Sequence, residues 1–567
     1  MKRICLALLL LIATTHGNAQ SKTQVRQLAE LAQVWGLLKY YHPTVASGRY
    51  NWDSVLVSSL QQVLNPRHTT PFTTTIAALL AVPGKDTAAW YAPQADNPMR
   101  YRNHTLRWIH QCHYLTPGQQ QQVYYIATHP HRGMNYYALP GDGTDSTVTT
   151  PNEQPYKQML LPDVHYRLLA LFRFWNVIQY YYPYKYAIGQ PWQNVLRQLI
   201  PVVIHAKDTL SWHQCIARMA AAINDSHGGL WPEVYHTIAG KYAPPFYFRL
   251  VAGKAVVTQL TNSNLTRPSG LQVGAVLTHV NGVPIRQLIK KYWPYVPASN
   301  AGGKLKTMHA FVLNTFARKA HYRGTNKDGT KMSANLQQVE RDFLKDYLHF
   351  FHMRSSDTCK MLNGNIGYVF FSNLTSRNLD SIMQLLMPAK AIIFDMRNYP
   401  ANGAGIYRVP NYLLPRPALY ARITYPDYSY PGRFHYTVAN EGTSYHQVGK
   451  PNPNAYKGKV LLLVDSRTQS AAEWACMTLL TASHVIVIGT PSAGADGNVT
   501  RTLLPGGYAI AFSGLGIYFP DGRETQRCGI PIDVKVPCTV EDMVNDRDPV
   551  LEKALELVGR DGGAIRS

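Results

Sequence analysis

From Gly364 onward, short apolar runs alternate with amphipathic stretches, and this rhythm constrains the fold more than any other feature of the chain. The runs 366–371, 391–395, 460–465 and 485–489 are apolar almost throughout, without the in-and-out alternation of a strand that faces water on one side. Strands buried on both faces read this way, and they occur in parallel sheets covered by helices. The stretches between them, 379–386 and 470 to about 483, have helical spacing. The result is a βαβ series, an α/β class of fold whose chemistry belongs at the C-terminal ends of the strands.

With 567 residues the chain exceeds what one core can hold. Ahead of the βαβ region, 246–250 and 255–260 read as strands around a Gly253 turn. The segment Val276-Leu277-Thr278-His279-Val280-Asn281-Gly282-Val283-Pro284-Ile285 reads as a hairpin on an Asn-Gly turn. This hairpin resembles the centre of a PDZ domain, a module that captures extended peptide along a sheet edge. Earlier still, Trp35/Trp175, Trp52/Trp192, Leu28/Leu168, Leu31/Leu171, Tyr40/Tyr180, Tyr41/Tyr181 and Pro43/Pro183 recur at a constant offset of 140. Each set reads as a helix, a Tyr-Tyr-x-Pro stop and a second helix, a duplicated helical module. The expected division is a leader over 1–19, a first copy over 20–150, a second copy over 151–238, a PDZ-like domain over 239–350 and an α/β core over 351–567.

Met1-Lys2-Arg3, an apolar run from Ile4 to Ala13 and Gly17-Asn18-Ala19 have the form of a secretory signal peptide. The run is shorter than the ~20 residues a membrane span needs. The chain is therefore expected to be exported, to the periplasm or beyond, with no integral membrane segment after cleavage. The net charge of +23 is spread without a dense Lys/Arg run or a nucleic-acid motif, so no nucleic-acid partner is expected. His110, His113, His129 and His131 fit no zinc spacing, and no metal or other cofactor is expected.

Two residues stand out chemically. Ser470 follows an apolar strand and opens a helix, where its hydroxyl reaches the sheet edge and first-turn N–H groups, Ala471 included, could face an oxyanion. The same Ser-x-x-Glu pattern, Ser470 to Glu473, is also a capping box. His227 closes the second helical copy in Asn224-Asp225-Ser226-His227-Gly228-Gly229, whereas the first copy has no histidine in that register. A module that can end without the histidine points to another use for it.

Thr468-Gln469-Ser470-Ala471-Ala472-Glu473 resembles the nucleophile segment of C-terminal processing and tricorn-like serine peptidases. Ile393-Phe394-Asp395-Met396-Arg397-Asn398, Ile488-Gly489-Thr490-Pro491-Ser492-Ala493-Gly494, Gly529-Ile530-Pro531-Ile532-Asp533-Val534 and Asp548-Pro549-Val550-Leu551 follow in that family's order. With the PDZ-like stretch, the resemblance spans about residues 205–556. It implies a crotonase-like (ClpP/crotonase) core, polypeptide substrates and a serine nucleophile, Ser470. The family's processing branch takes its base from a lysine two residues beyond the later Gly, where this chain has Gly494-Ala495-Asp496. The tricorn-like branch uses a Ser-His pair before the PDZ domain, which implies His227 as base with Ser226 beside it. For the third member the resemblance points to the loop of Glu524 and Gln526. Glu524 is expected to carry the charge and Gln526 to orient, and Asp225 is a third possibility. Pro400 lacks an N–H, which leaves Ala401, Asn402 or Gly403, with Ala401 first, to join Ala471 in the oxyanion hole. A peptide-binding protein on the same scaffold without turnover is the alternative.

Overall fold

The structure is a computed structural model that describes residues 21–65, 67, 70–84, 102–131, 133–141, 147–341, 358–436 and 447–559. The leader expected over 1–19 lies outside the described residues.

Two long helices, α1 (Lys22–Tyr41) and α2 (Trp52–Leu64), form a pair that recurs as α3 (Val164–Tyr181) and α4 (Trp192–Ile204). In the first pair Trp35 Nε1 donates to the Trp52 carbonyl at 2.9 Å, and Trp52 Nε1 returns a bond to the Trp35 carbonyl at 3.0 Å. The second pair has the same exchange between Trp175 and Trp192, at 2.9 and 3.0 Å. Buried indoles need a partner for their N–H, and each helix supplies a carbonyl to the other.

The pairs pack on each other where α1 crosses α3. A Cβ at Gly36 would lie 1.9 Å from Oδ1 of Asn176, so only glycine lets the helices approach. Asn176 Nδ2 donates to the Ala32 carbonyl at 3.0 Å across this contact. Nearby, Tyr40 and Tyr41 interleave with Tyr180 and Tyr181 at ring separations of 5.3–5.5 Å. Below them Arg173 joins Asp53 and Glu153 in a buried ion-pair cluster that includes Lys39. The removal of four charges from water is tolerable because each meets an opposite one.

Helix α5 (Thr209–Ala222) runs from the second pair toward the middle of the molecule. After α6 (Pro232–Ala239), a small antiparallel sheet is built from β1 (Phe246–Val251), β2 (Lys254–Leu260), β3 (Val276–Val280), β4 (Lys319–Thr325) and β5 (Lys331–Gln337) in the order β1-β2-β3-β4-β5. The Asn281-Gly282 turn forms, with φ of 50° and 78°, as a two-residue turn on a twisted hairpin requires. Its second strand is only Val283–Pro284, because α7 (Ile285–Tyr292) starts at once. Helix α8 (Ala301–Thr307) is inserted between α7 and β4.

The C-terminal sheet has six strands in the order β6 (Cys359–Leu362), β7 (Ile366–Phe370), β8 (Ala391–Asp395), β9 (Lys459–Val464), β10 (Val485–Gly489) and, last in this sheet, Val534–Lys535. All neighbours are parallel except β6 with β7. Helix α9 (Leu379–Leu386) connects β7 to β8, and α10 (Ala471–Leu479) connects β9 to β10. One face packs Ile392, Phe394, Leu462 and Val464 beneath α9 and α10, and the other packs Ile393, Leu461 and Leu463 beneath α11 (Pro549–Gly559). A hairpin of β11 (Val499–Leu504) and β12 (Tyr508–Ser513) leaves the sheet and reaches the helical pairs. It also reaches α5, where Tyr508 Oη meets His213 Nε2 at 2.7 Å.

Candidate active site

Three segments far apart in sequence converge at the C-terminal end of β9. These are the turn after α5, the end of β12 and the turn into α10.

The α5 helix stops at Asn224, whose φ of 51° is left-handed, a conformation that asparagine tolerates at a helix end. The chain then turns through Asp225, Ser226 and His227. A Cβ at Gly228 would sit 2.5 Å from Pro297 of the small sheet domain, so the turn fits only with glycine there. Asp225 is fully buried. Its Oδ1 accepts from the His227 N–H at 2.9 Å and from Ser513 Oγ at 3.1 Å, and its Oδ2 accepts from the Ser513 N–H at 2.7 Å. Ser513 Oγ lies 2.9 Å from His227 Nδ1.

The proton arrangement follows from counting donors. A hydroxyl has one proton, and a carboxylate can only accept. Ser513 gives its proton to Asp225, so its oxygen accepts from His227, and Nδ1 carries the ring proton. In a neutral imidazole Nε2 is then a bare lone pair. That atom is enclosed and has no hydrogen-bond partner. Burial depresses the His227 pKa below its ordinary value; Asp225 pulls it upward and Lys306 pushes it further down. The ring is thus held neutral, in the tautomer of a base.

Ser470 begins α10 with φ of 55° and ψ of −122°, a backbone conformation that side chains other than glycine rarely adopt. An ordinary capping serine has extended backbone, so capping alone does not account for this geometry. The Ser470 N–H donates to the Ala495 carbonyl at 3.0 Å. Glu473, wholly buried, accepts from Ser492 Oγ at 2.6 Å and from the N–H groups of Gly494 and Ala495 at 2.8 and 3.0 Å, which ties the 492–495 loop to the turn. Ala471 N–H belongs to the first turn of α10, which the intrahelical ladder leaves unused.

The two turns dock directly. Gln469 Nε2 donates to the Ser226 carbonyl at 3.1 Å, and Ser226 Oγ donates to the Ala493 carbonyl at 2.8 Å. The residues next to Ser470 and next to His227 therefore touch.

The remaining expected site residues make other contacts. Glu524 meets Arg102 Nη1 at 2.6 Å, and the carboxylate joined to His227 through Ser513 is that of Asp225. The 524 loop turns its acid toward the guanidinium, and Asp225, the third possibility read from the sequence, is the carboxylate on the His227 side. Gln526 is buried and donates to Tyr182 Oη at 3.2 Å rather than to the imidazole. Ala401, expected in the oxyanion hole, donates its N–H to the Ser372 carbonyl at 3.1 Å. Asn402 and Gly403 follow on an exposed turn. Ser513, absent from the sequence reading, ends β12 in Phe512-Ser513-Gly514, a string with no local signature.

Residues 365–536 match the model of Peptidase family S41. No curated protein sequence matches the chain. Among solved structures, mature CPAF superposes with a TM-score of 0.55 at 13% identity, over 71% of this chain and 99% of that one. Mature CPAF complexed with lactacystin superposes with a TM-score of 0.53 at 12% identity, over 70% and 98%. Likeness at this identity establishes a shared mixed α/β fold.

Proposed function

We propose that this chain, a serine-type peptidase by virtue of the family S41 domain at 365–536, hydrolyses peptide bonds with Ser470 as nucleophile and His227 as general base. Asp225 and Ser513 hold the imidazole in its reactive tautomer. One observation carries the reading: His227 Nε2 is bare and enclosed while Nδ1 is tied through Ser513 to a buried carboxylate. Ser470 Oγ gives its proton to Nε2 as the oxygen bonds to the substrate carbonyl carbon. Nε2 then returns the proton to the leaving amine, and water repeats the cycle on the acyl-enzyme. Ala471 N–H, with Asn402 or Gly403 on the facing turn, would receive the oxyanion. Gln526 would act at one remove, through Tyr182.

The domain readings support this assignment. The C-terminal sheet reads as a crotonase-like core, the small sheet domain as PDZ-like and the two helix pairs as a duplicated module. The N-terminal signal-like segment fits export to the periplasm or beyond, where the substrates would be exported polypeptides. Among the described residues no helix is long and apolar enough to cross a membrane.

A fluorophosphonate probe tests the nucleophile. Wild type should label and Ser470→Ala should not, and a folded wild type that fails to label would instead favour a silent peptide binder. His227→Ala should lower kcat by about 10²- to 10⁴-fold, the usual worth of a general base. Near-normal turnover in that variant would remove His227 from the mechanism.

A further inference from the structure

The scheme above leaves one charged group unused. Lys306 lies in the last turn of α8, within the small sheet domain. Its Nζ donates to Oε1 of Gln469, the residue before Ser470. The other end of that amide donates to the carbonyl of Ser226, the residue before His227. One side chain therefore ties the ammonium to the flanks of both reacting groups. The segment ahead of it is fixed as firmly. Ser299 Oγ accepts from the Ser226 N–H and the Ser299 N–H donates to Ser226 Oγ, both at 2.9 Å, while Asn300 Nδ2 donates to the Ser492 carbonyl at 2.8 Å.

The charges facing Lys306 come from every side. Glu473 and Asp465 of the core favour its ammonium and Arg467 opposes it; from the helical side His227 feels it directly. Burial outweighs these and brings the Lys306 pKa down to about 8. A cation at this junction lowers the proton affinity of a neighbouring imidazole and favours negative charge forming on nearby oxygens.

We propose that Lys306 is a positioning residue for hydrolysis, its ammonium tethered by Gln469 so that His227 stays neutral before attack and the oxyanion is favoured afterwards. The inference rests on the Ser470–His227 reading. Lys306 gives up no proton in the cycle: the Ser470 proton goes to His227 and then to the leaving amine. The same charge opposes the transient imidazolium, a cost that Asp225 offsets through Ser513.

The test is the pH profile of kcat/KM in the full chain, measured with a fluorogenic peptide alongside fluorophosphonate labelling. Wild type should lose activity on the alkaline side as Lys306 deprotonates. In Lys306→Met that alkaline fall should vanish, the acid limb should move up by roughly one pH unit or less, and kcat should drop about tenfold. Lys306→Arg, which stays charged, should keep the acid limb in place and also lose the alkaline fall. Gln469→Ala, which cuts the tether but keeps the lysine, should move the acid limb in the same direction as Lys306→Met. Limbs unmoved in all three variants, with Ser470 still labelled, would overturn this inference and leave the peptidase reading standing. Failure of the wild type to label would bring down both.

Discussion

At Ser470 the backbone holds a conformation that costs on the order of 1–3 kcal/mol in a residue with a side chain. The bonds of the 492–495 loop hold that conformation, and on the proposed mechanism it serves to present the hydroxyl. Ser470→Gly should therefore stabilise the fold by about 1 kcal/mol while abolishing turnover, and paired melting and activity measurements would reveal that opposition. On the proposed mechanism the neutral ring of His227 is the active form, so activity should rise with pH through the folded-state pKa. Since that pKa is depressed, the acid limb of kcat/KM should lie below the ordinary histidine value of 6.5. Ser513→Ala should cut kcat by about a hundredfold through loss of the tautomer lock, with little change in KM. Unequal amounts of this were legible beforehand. Ser470 and His227 stood out because strings around them carry a pattern. Ser513 did not, since its partner Asp225 lies 288 positions away and nothing beside it signals the pairing. The partner of the Ala401 N–H was hidden for a related reason, because a sequence does not reveal whether an N–H is already engaged.

The turn into α10 and the 492–495 loop behave as one element, joined by the Glu473 carboxylate. Burial lifts the Glu473 pKa to about 7, and the loop's hydrogen bonds only partly oppose this. A raised folded-state pKa means that stability is fully present below the unfolded value of 4.5 and is lost as pH rises through about 7. The loss should reach a few kcal/mol across that window, seen as a falling melting temperature, and Glu473→Gln should flatten the slope. At this scale the sequence was a good guide where periodicity is strong. Helix α9 and strands β8 and β10 begin and end where their apolar runs do. It was poorer at the second strand of the Asn281-Gly282 hairpin and at the end of α10, at Leu479 rather than near 483. The first is cut short by the start of α7 at Ile285, and past Leu479 the chain continues in turns rather than helix.

Across the whole molecule, the site exists because helical pairs, small sheet domain and core meet at one point. Disturbing the helical pairs should therefore be felt far from them. Gly36→Ala forces the buried Asn176 side chain aside and breaks its bond to Ala32, at a cost of about 2–3 kcal/mol. Asn176→Ala in the same chain should recover part of the loss, and additive effects of the two changes would count against direct contact.

The Gly36–Asn176 contact also limits which surfaces can associate. The two residues occupy corresponding positions, 140 apart, yet one is the smallest side chain and the other a bulky amide. Two first helices brought together in the same way would leave a hole, and two third helices would collide. Each half is thus shaped for its counterpart rather than for a copy of itself.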